Sequence, residues 1–195
     1  IPLPLLQKNA FLPDFSKISP EQAERAKLMI LNYPNNPTTA TATTEFFNET
    51  AAFAIKNDIV VCHDAAYTEL AFDGARPVSF LQAQGAKDIG VEFHSLSKSF
   101  NMAGVRLGFA VGNKKIVKAL ETIKSNIDYG SFMPVLQAGA EVLLNSFPTI
   151  HNNQQTYKRR RDIWIDGCSA AGWHIDRPKA TMFVWAKVPT KQDSL

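Results

Sequence analysis

Long apolar runs are missing from this chain: no stretch reaches the roughly 18 residues that a membrane-spanning helix needs. Cysteine is scarce. Cys62 and Cys168 are the only two among 195 residues, which fits two free thiols in a reducing compartment better than a disulfide framework. A dominant charge is missing too, since 21 Lys and Arg against 18 Asp and Glu leave a net +3, too mild a balance for a nucleic-acid surface. No Gly-x-Ser-x-Gly elbow and no Walker loop occurs, which disfavours a serine hydrolase and a P-loop NTPase. There is no internal repeat and no low-complexity segment. The opening Ile1-Pro2-Leu3-Pro4 has no initiator Met and no basic region, so it is not expected to be a signal peptide. Both ends read as interior cuts. What remains is an ordinary globular composition, 45% hydrophobic and 20% charged, long enough for one domain or one domain and part of another.

Ser19-Pro20-Glu21-Gln22 predicts a helix start, with Ser as N-cap, Pro at the first helical position and Gln three residues after the cap. Leu28–Leu31 is an apolar run of strand length, followed by a loop at Asn32-Tyr33-Pro34-Asn35-Asn36-Pro37. Thr43 or Thr44 caps a helix to about Asn57 with Phe46, Phe47, Ala51, Ala54 and Ile55 on one stripe. Further strands are predicted at Ile59–His63, Gly90–Ser95, Leu107–Val111 and Met182–Val188, and further helices over 113–127, 133–145 and 148–171. Strands that alternate with helices and are apolar on both faces predict an α/β three-layer sandwich around a mostly parallel sheet. The long helix carries Lys158-Arg159-Arg160-Arg161, expected to be a solvated face because a helix spreads consecutive residues around its axis. It is expected to bridge into a second domain, which gives a division at 1–147 and 148–195.

Every unusual polar cluster falls at the carboxyl end of a predicted strand, where open α/β sheets bind ligands. The first strand delivers Asn36, the second Asp64 and Tyr67, and the third Ser95, Ser97 and Lys98; Arg106 follows before the fourth. A lysine is a nucleophile only once its ammonium has shed a proton, which a neighbouring cation or desolvation favours. A carboxylate in the same cleft would oppose this unless it serves another cation, such as a protonated pyridine nitrogen. Phenol and amide donors suit a phenolate oxygen, and Arg with Ser hydroxyls suits a phosphate. Together the set describes a site for pyridoxal 5′-phosphate. A metal site is not expected, because Cys62, His63 and Asp64 alternate across a strand and cannot share one ion. By the same alternation His63 and His94 are expected on the opposite face from Asp64 and Ser95.

Asn36-Pro37-Thr38, the Asp64-x-x-Tyr67 of His63–Tyr67, and Ser95-Leu96-Ser97-Lys98 with Arg106 eight residues later resemble the fold-type I, class I/II aminotransferases. The strands at Gly108–Gly112 and Phe183–Ala186 fit the family in order and spacing. Phe93–Lys98 and Asn101–Gly104 are similar to its aspartate aminotransferase-like branch, which includes the LL-diaminopimelate aminotransferases. The resemblance implies a cytoplasmic, homodimeric enzyme that moves an amino group between an amino acid and a 2-oxo acid. By the same resemblance, Lys98 would hold the cofactor as an internal aldimine and shuttle the proton, Asp64 would pair with the pyridinium nitrogen, Asn36 and Tyr67 would bind the ring oxygen, and Ser95 and Arg106 the phosphate. Ser97 is expected either to join that set or only to shape the turn.

The sequence departs from the family in several places. The glycine-bearing phosphate loop, the aromatic residue that stacks on the ring and the carboxylate-binding arginine are not found, and Thr38-Thr39 stands where the family usually has Thr-Gly. Asp128-Tyr129-Gly130-Ser131 could approach a cofactor or a partner subunit, or be a plain connection between helices. Two other functions stay open: a C–S β-lyase or synthase on the same fold, and an aminotransferase-like sensor domain of a transcription regulator.

Overall fold

The computed structural model describes residues 1–189. Helix α1 (Pro20–Arg25) begins as predicted: Ser19 Oγ accepts from Gln22 N while the Gln22 side chain accepts from Ser19 N, a complete capping box. Strand β1 (Leu28–Asn32) leads through the Asn/Pro loop to α2 (Thr44–Lys56), which Thr43 caps by accepting from Phe46 N. Strand β2 (Val60–Asp64), the short helix α3 (Ala86–Ile89), β3 (Gly90–Ser95), the single turn α4 (Leu96–Ser99) and β4 (Gly108–Gly112) follow. Then come α5 (Lys114–Ser125), α6 (Met133–Asn145) and α7 (Phe147–Ala170).

The four strands form one sheet in the order β1-β2-β3-β4. The first two pairings are parallel and the last is antiparallel, so the sheet is mixed and mostly parallel. On one face Met29, Leu31 and Val61 bury against the apolar stripe of α2, and Phe47, Ala51, Ala54 and Phe80 complete that core. A smaller core of Leu96, Phe100 and Ile150 with Leu107, Val142 and Leu143 joins α4, α6 and α7. Gly139 permits this approach, because a Cβ there would lie 2.2 Å from Leu107. Apolar residues on both faces of β1 predicted a helical layer on each side. The described residues supply that layer on one side of β1 only, leaving Leu28 54% and Ile30 69% exposed.

Two expectations are corrected. Met182–Val188 forms no strand among the described residues. A strand exists only through a ladder, and this segment's neighbourhood offers a single antiparallel bridge, Ala71 with Ala180. The basic run is also not wholly solvated: Arg159 and Arg160 are exposed, but Arg161 is 7% exposed. Its guanidinium meets Asp73 at 2.7 Å and Asp162 at 2.7 Å, donates to the Pro178 carbonyl at 2.7 Å and lies over the Phe72 ring. Lys158 joins the same two carboxylates at 3.1 and 2.8 Å, and Arg177 reaches Asp162 at 2.9 Å. This network fastens α7 to the segments at 72–73 and 177–178.

The network predicts an acid sensitivity. Hydrogen bonds from Lys158 and Arg161, with their charges, outweigh partial burial and hold the Asp162 carboxyl down at about 2; Asp73 is lowered as well, chiefly by Arg161. In the unfolded chain an Asp titrates near 3.9. A folded-state pKa below the unfolded one gives stability that is present above about pH 4 and lost as pH falls towards 2. Denaturant titrations across that window are expected to show a shallower pH dependence for Asp162→Asn than for the wild type.

Candidate active site

Because β1, β2 and β3 are parallel neighbours, their carboxyl ends lie on one edge of the sheet, with Asn32 opposite Asp64 and Asp64 opposite Phe93. The antiparallel β4 starts at that same edge, Gly108 opposite Ser95, so the loop holding Arg106 joins it. The predicted residues Asn36, Asp64, Tyr67, Ser95, Lys98 and Arg106 therefore all belong to this edge or the loops leaving it.

Asn32 ties the first two ends together. Its amide donates to the Asp64 carbonyl at 3.0 Å, and its Oδ1 accepts from Asn36 N at 2.8 Å. Asn35 then closes the turn by accepting from Thr38 N at 3.1 Å and Thr38 Oγ1 at 2.6 Å. The exposed Asn36 donates through Nδ2 to the Tyr67 hydroxyl at 3.5 Å. Tyr67 is 7% exposed. Burial pushes its phenol up, offset in part by the Asn36 hydrogen bond and reinforced by the nearby Asp64 charge, so the hydroxyl keeps its proton and can donate. Lys98 Nζ stands 5.8 Å from the Tyr67 ring centroid. Asn36, Tyr67 and Lys98 are thus in one group.

Asp64 is exposed and accepts from Ala66 N at 3.2 Å, shaping the start of the following loop. Ser95 is the N-cap of α4, its hydroxyl oxygen accepting from Ser97 N at 3.1 Å; the O–H proton is left to donate elsewhere. Ser97 is 5% exposed, which agrees with a turn-shaping residue. Arg106 sits in the left-handed region (φ 58°) and donates to the Ala103 carbonyl at 2.9 Å, within its own loop and not to Ser95 or Lys98. Among the described residues Asp64, Lys98 and Arg106 enter no ion pair. A carboxylate and two cations at one edge, none neutralised by another side chain, are what a ligand of mixed charge would meet.

Sequence reasoning missed Asn32, Phe183 and Glu92 as contributors. Asn32 lay unremarked in the Asn/Pro loop, although an amide directly between an apolar strand and a double-proline turn is a signal for a side chain that closes that turn. Phe183 packs edge-on against Tyr67 with centroids 5.2 Å apart. It is brought there by Phe72 N donating to Lys179 O and Thr181 N to Leu70 O, both at 2.8 Å. Behind the edge, His63 and Glu92 form a buried pair at 2.8 Å. His63 is indeed on the face opposite the exposed Asp64.

The turn after Pro37 has a conformation that fits glycine. Thr39, where Thr-Gly was expected, has φ 64°, a conformation in which a β-branched residue is strained. Thr39→Gly is expected to stabilise the protein by about 0.5–1 kcal/mol, the relief of strain being partly offset by glycine's backbone entropy. A raised denaturant midpoint at unchanged m-value would report it.

The family model for aminotransferase class I and II matches residues 1–195. The chain is 50% identical over 187 residues to an LL-diaminopimelate aminotransferase of Moorella thermoacetica, covering 96% of this chain and 48% of that protein. It is 47% identical to the L-glutamine–4-(methylsulfanyl)-2-oxobutanoate aminotransferase of Bacillus subtilis, covering 96% of this chain and 47% of that one. Its fold is similar to the substrate-bound structure of BacF from Bacillus subtilis, with a TM-score of 0.93 at 43% identity over 98% of this chain and 49% of that one. The chain spans about half the length of the curated relatives it matches. On its sequence, its sheet and this edge of polar groups, the chain belongs to the class I and II aminotransferase family.

Proposed function

We propose that this chain carries the cofactor-anchoring part of a pyridoxal 5′-phosphate-dependent aminotransferase, which moves an amino group between an amino acid and a 2-oxo acid. The observation that carries the reading is the trio Asp64, Lys98 and Arg106, which enter no ion pair among the described residues, on one sheet edge beside the Asn36–Tyr67 pair. The donor set fits that cofactor group by group. A carboxylate without a cationic partner suits the ring nitrogen, an amine the aldehyde carbon, a phenol and an amide the ring oxygen, and a hydroxyl with a guanidinium the phosphate. When bound, the cofactor supplies an electron sink for charge developing at the substrate Cα.

The chain's own residues do the rest. Asp64 would hold the ring nitrogen in its protonated form by opposite charge. Tyr67 and Asn36 would donate to the ring oxygen, Ser95 and Arg106 would hold the phosphate, and Lys98 would anchor the group and move a proton at the substrate Cα. Phe183 keeps the Tyr67 ring in place. We assign residues 1–147 to part of the large cofactor-binding domain and 148–195, of which 190–195 lie outside the described residues, to the interdomain helix and the start of the small domain. The working enzyme is a cytoplasmic homodimer. The exposed Ile127, Tyr129, Phe132 and Met133, between 61% and 99% accessible, support this as the surface a partner would cover. Among the described residues no helix is long and apolar enough to cross a membrane. Relatives at 50% and 47% identity are named for different amino-group transfers, so the proposal stays at the class of amino acid and 2-oxo acid.

Borohydride reduction of the cofactor-loaded full-length protein, followed by peptide mapping, tests the reading. A reduced pyridoxyl group on Lys98, with keto acid and new amino acid as products, is the expected result. An adduct on another lysine, or none, overturns it. Ammonia and pyruvate as products would mean a lyase instead.

A further inference from the structure

The buried pair behind the sheet edge has a hydrogen-bond arrangement with a chemical consequence. His63 is 0% and Glu92 2% exposed. His63 Nδ1 faces Glu92 Oε1 at 2.8 Å, and His63 Nε2 faces the Tyr33 carbonyl oxygen at 2.8 Å. A carbonyl can only accept, so Nε2 carries a proton. Glu92 Oε1 also accepts from Phe80 N at 2.6 Å, and Oε2 accepts from Ser79 Oγ at 2.9 Å and faces His94 Nε2 at 3.2 Å. A carboxylate ringed by that many donors is an acceptor towards His63 as well. Burial alone would push the Glu92 carboxyl up, but the hydrogen bonds from His63, His94 and Ser79 and the His63 charge hold it well below the usual carboxylate range. With Glu92 accepting on both oxygens, the geometry leaves both ring nitrogens of His63 facing acceptors.

What that ring touches is the scaffold of the candidate site. Tyr33 belongs to the loop that ends in Asn36, and His63 immediately precedes Asp64. Glu92 lies on the third strand, in register with His63 and three residues before Ser95. Phe47 of α2 also meets the ring, edge-on with centroids 5.0 Å apart. Asn32 bridges the same two segments from the other side, through the Asp64 carbonyl and Asn36 N.

We propose that His63, as an imidazolium clamped between the Tyr33 carbonyl and the Glu92 carboxylate, is a positioning residue that holds Asn36 and Asp64 at their separation. This rests on the site reading above, but the clamp itself does not need the cofactor. A neutral ring keeps only one of the two donor bonds, and the Asn36 loop and the end of β2 then lose a common anchor. His94 and Ser79 act through Glu92, by keeping it ionised.

The test begins with the full-length wild type, selectively ¹⁵N-labelled at histidine and free of cofactor. Both His63 ring nitrogens are expected to carry a proton in the folded protein, as two one-bond N–H couplings. A singly protonated ring overturns the proposal without any mutation. In Glu92→Gln, which keeps the size of the side chain, the ring is expected to hold one proton, and the backbone amides of Asn36 and Ala66 are expected to shift. Unmoved amides in a variant whose ring has lost its second proton overturn the positioning role. In cofactor-loaded Glu92→Gln, the pH midpoint of the visible absorption is expected to move by about one unit, with kcat falling roughly tenfold. A purely structural pair would lower the melting temperature and leave that midpoint unchanged, which also overturns the proposal. His63→Gln serves as the second variant and is expected to show the same displaced amides and midpoint; wild-type values in the folded variant count against the clamp. If wild-type Lys98 gives no trapped adduct, the cofactor reading fails, while the ring protonation and the amide shifts still decide the clamp.

Discussion

Lys98→Ala is expected to fold as the wild type does and to lose at least about 10⁴-fold in turnover, because the proposed function gives both covalent anchoring and proton transfer to this one amine. The fold survives for local reasons. Lys98 sits on the one-turn helix α4, which is held by the Ser95 cap and by Leu96 and Phe100 in the small core. The lysine itself is half-buried and bonds to no carboxylate among the described residues. What is lost is an amine beside Tyr67. Lys98→Arg separates charge from chemistry, since a guanidinium keeps the positive charge but does not give up its proton near neutral pH. Turnover restored by arginine would make Lys98 an electrostatic residue only. Turnover lost in both variants, with unchanged circular dichroism and no borohydride-trapped adduct, is the expected result.

The candidate site residues were legible because they lie at or just beyond the ends of apolar strands, and parallel neighbours place their ends together without any knowledge of side-chain packing. Asn36, Asp64 and Ser95 needed only the pattern of apolar runs and breaks. The His63–Glu92 clamp was not legible in the same way. Alternation gives the face of the strand on which His63 lies, but its partner is 29 residues away and depends on the register of β2 against β3. Arg161 is a similar case. Four consecutive basic residues circle a helix, and the one that turns inward shares its stripe with Ile150 and Ile165, all three buried. Its counter-charge Asp73 lies in a loop whose docking no local pattern encodes. Met182–Val188 reads as a strand because it is apolar, yet apolarity supplies no hydrogen-bond partner. A segment becomes a strand only where another edge is offered to it.

Asp64→Asn is the sharper of the substitutions at the charged trio, because it removes charge and little else. Asn keeps an oxygen able to accept from Ala66 N, as Asp64 Oδ1 does at 3.2 Å, and it leaves untouched the backbone carbonyl that receives the Asn32 amide at 3.0 Å. Stability is therefore expected to stay within about 0.5 kcal/mol of the wild type. Asp64→Ala also removes the loop-shaping acceptor and is expected to cost about 1 kcal/mol. Catalysis is expected to respond to the charge instead. In the proposed function a pyridine-type nitrogen without an opposing carboxylate would shed its proton near neutral pH, and the cofactor would be a weaker electron sink. A fall in kcat of about 10²–10⁴-fold is expected for both variants, since a preorganised charge at such a site is worth several kcal/mol in the transition state and far less in the ground state. Two loops of one sheet edge would then have separable duties, Asp64 acting by its charge and Asn36 by a neutral hydrogen bond. The sign of the comparison is what matters. If Asp64→Asn turns over like the wild type while Asp64→Ala is impaired, the carboxylate serves the loop and not the cofactor, and the proposed pairing of Asp64 with the ring nitrogen is wrong.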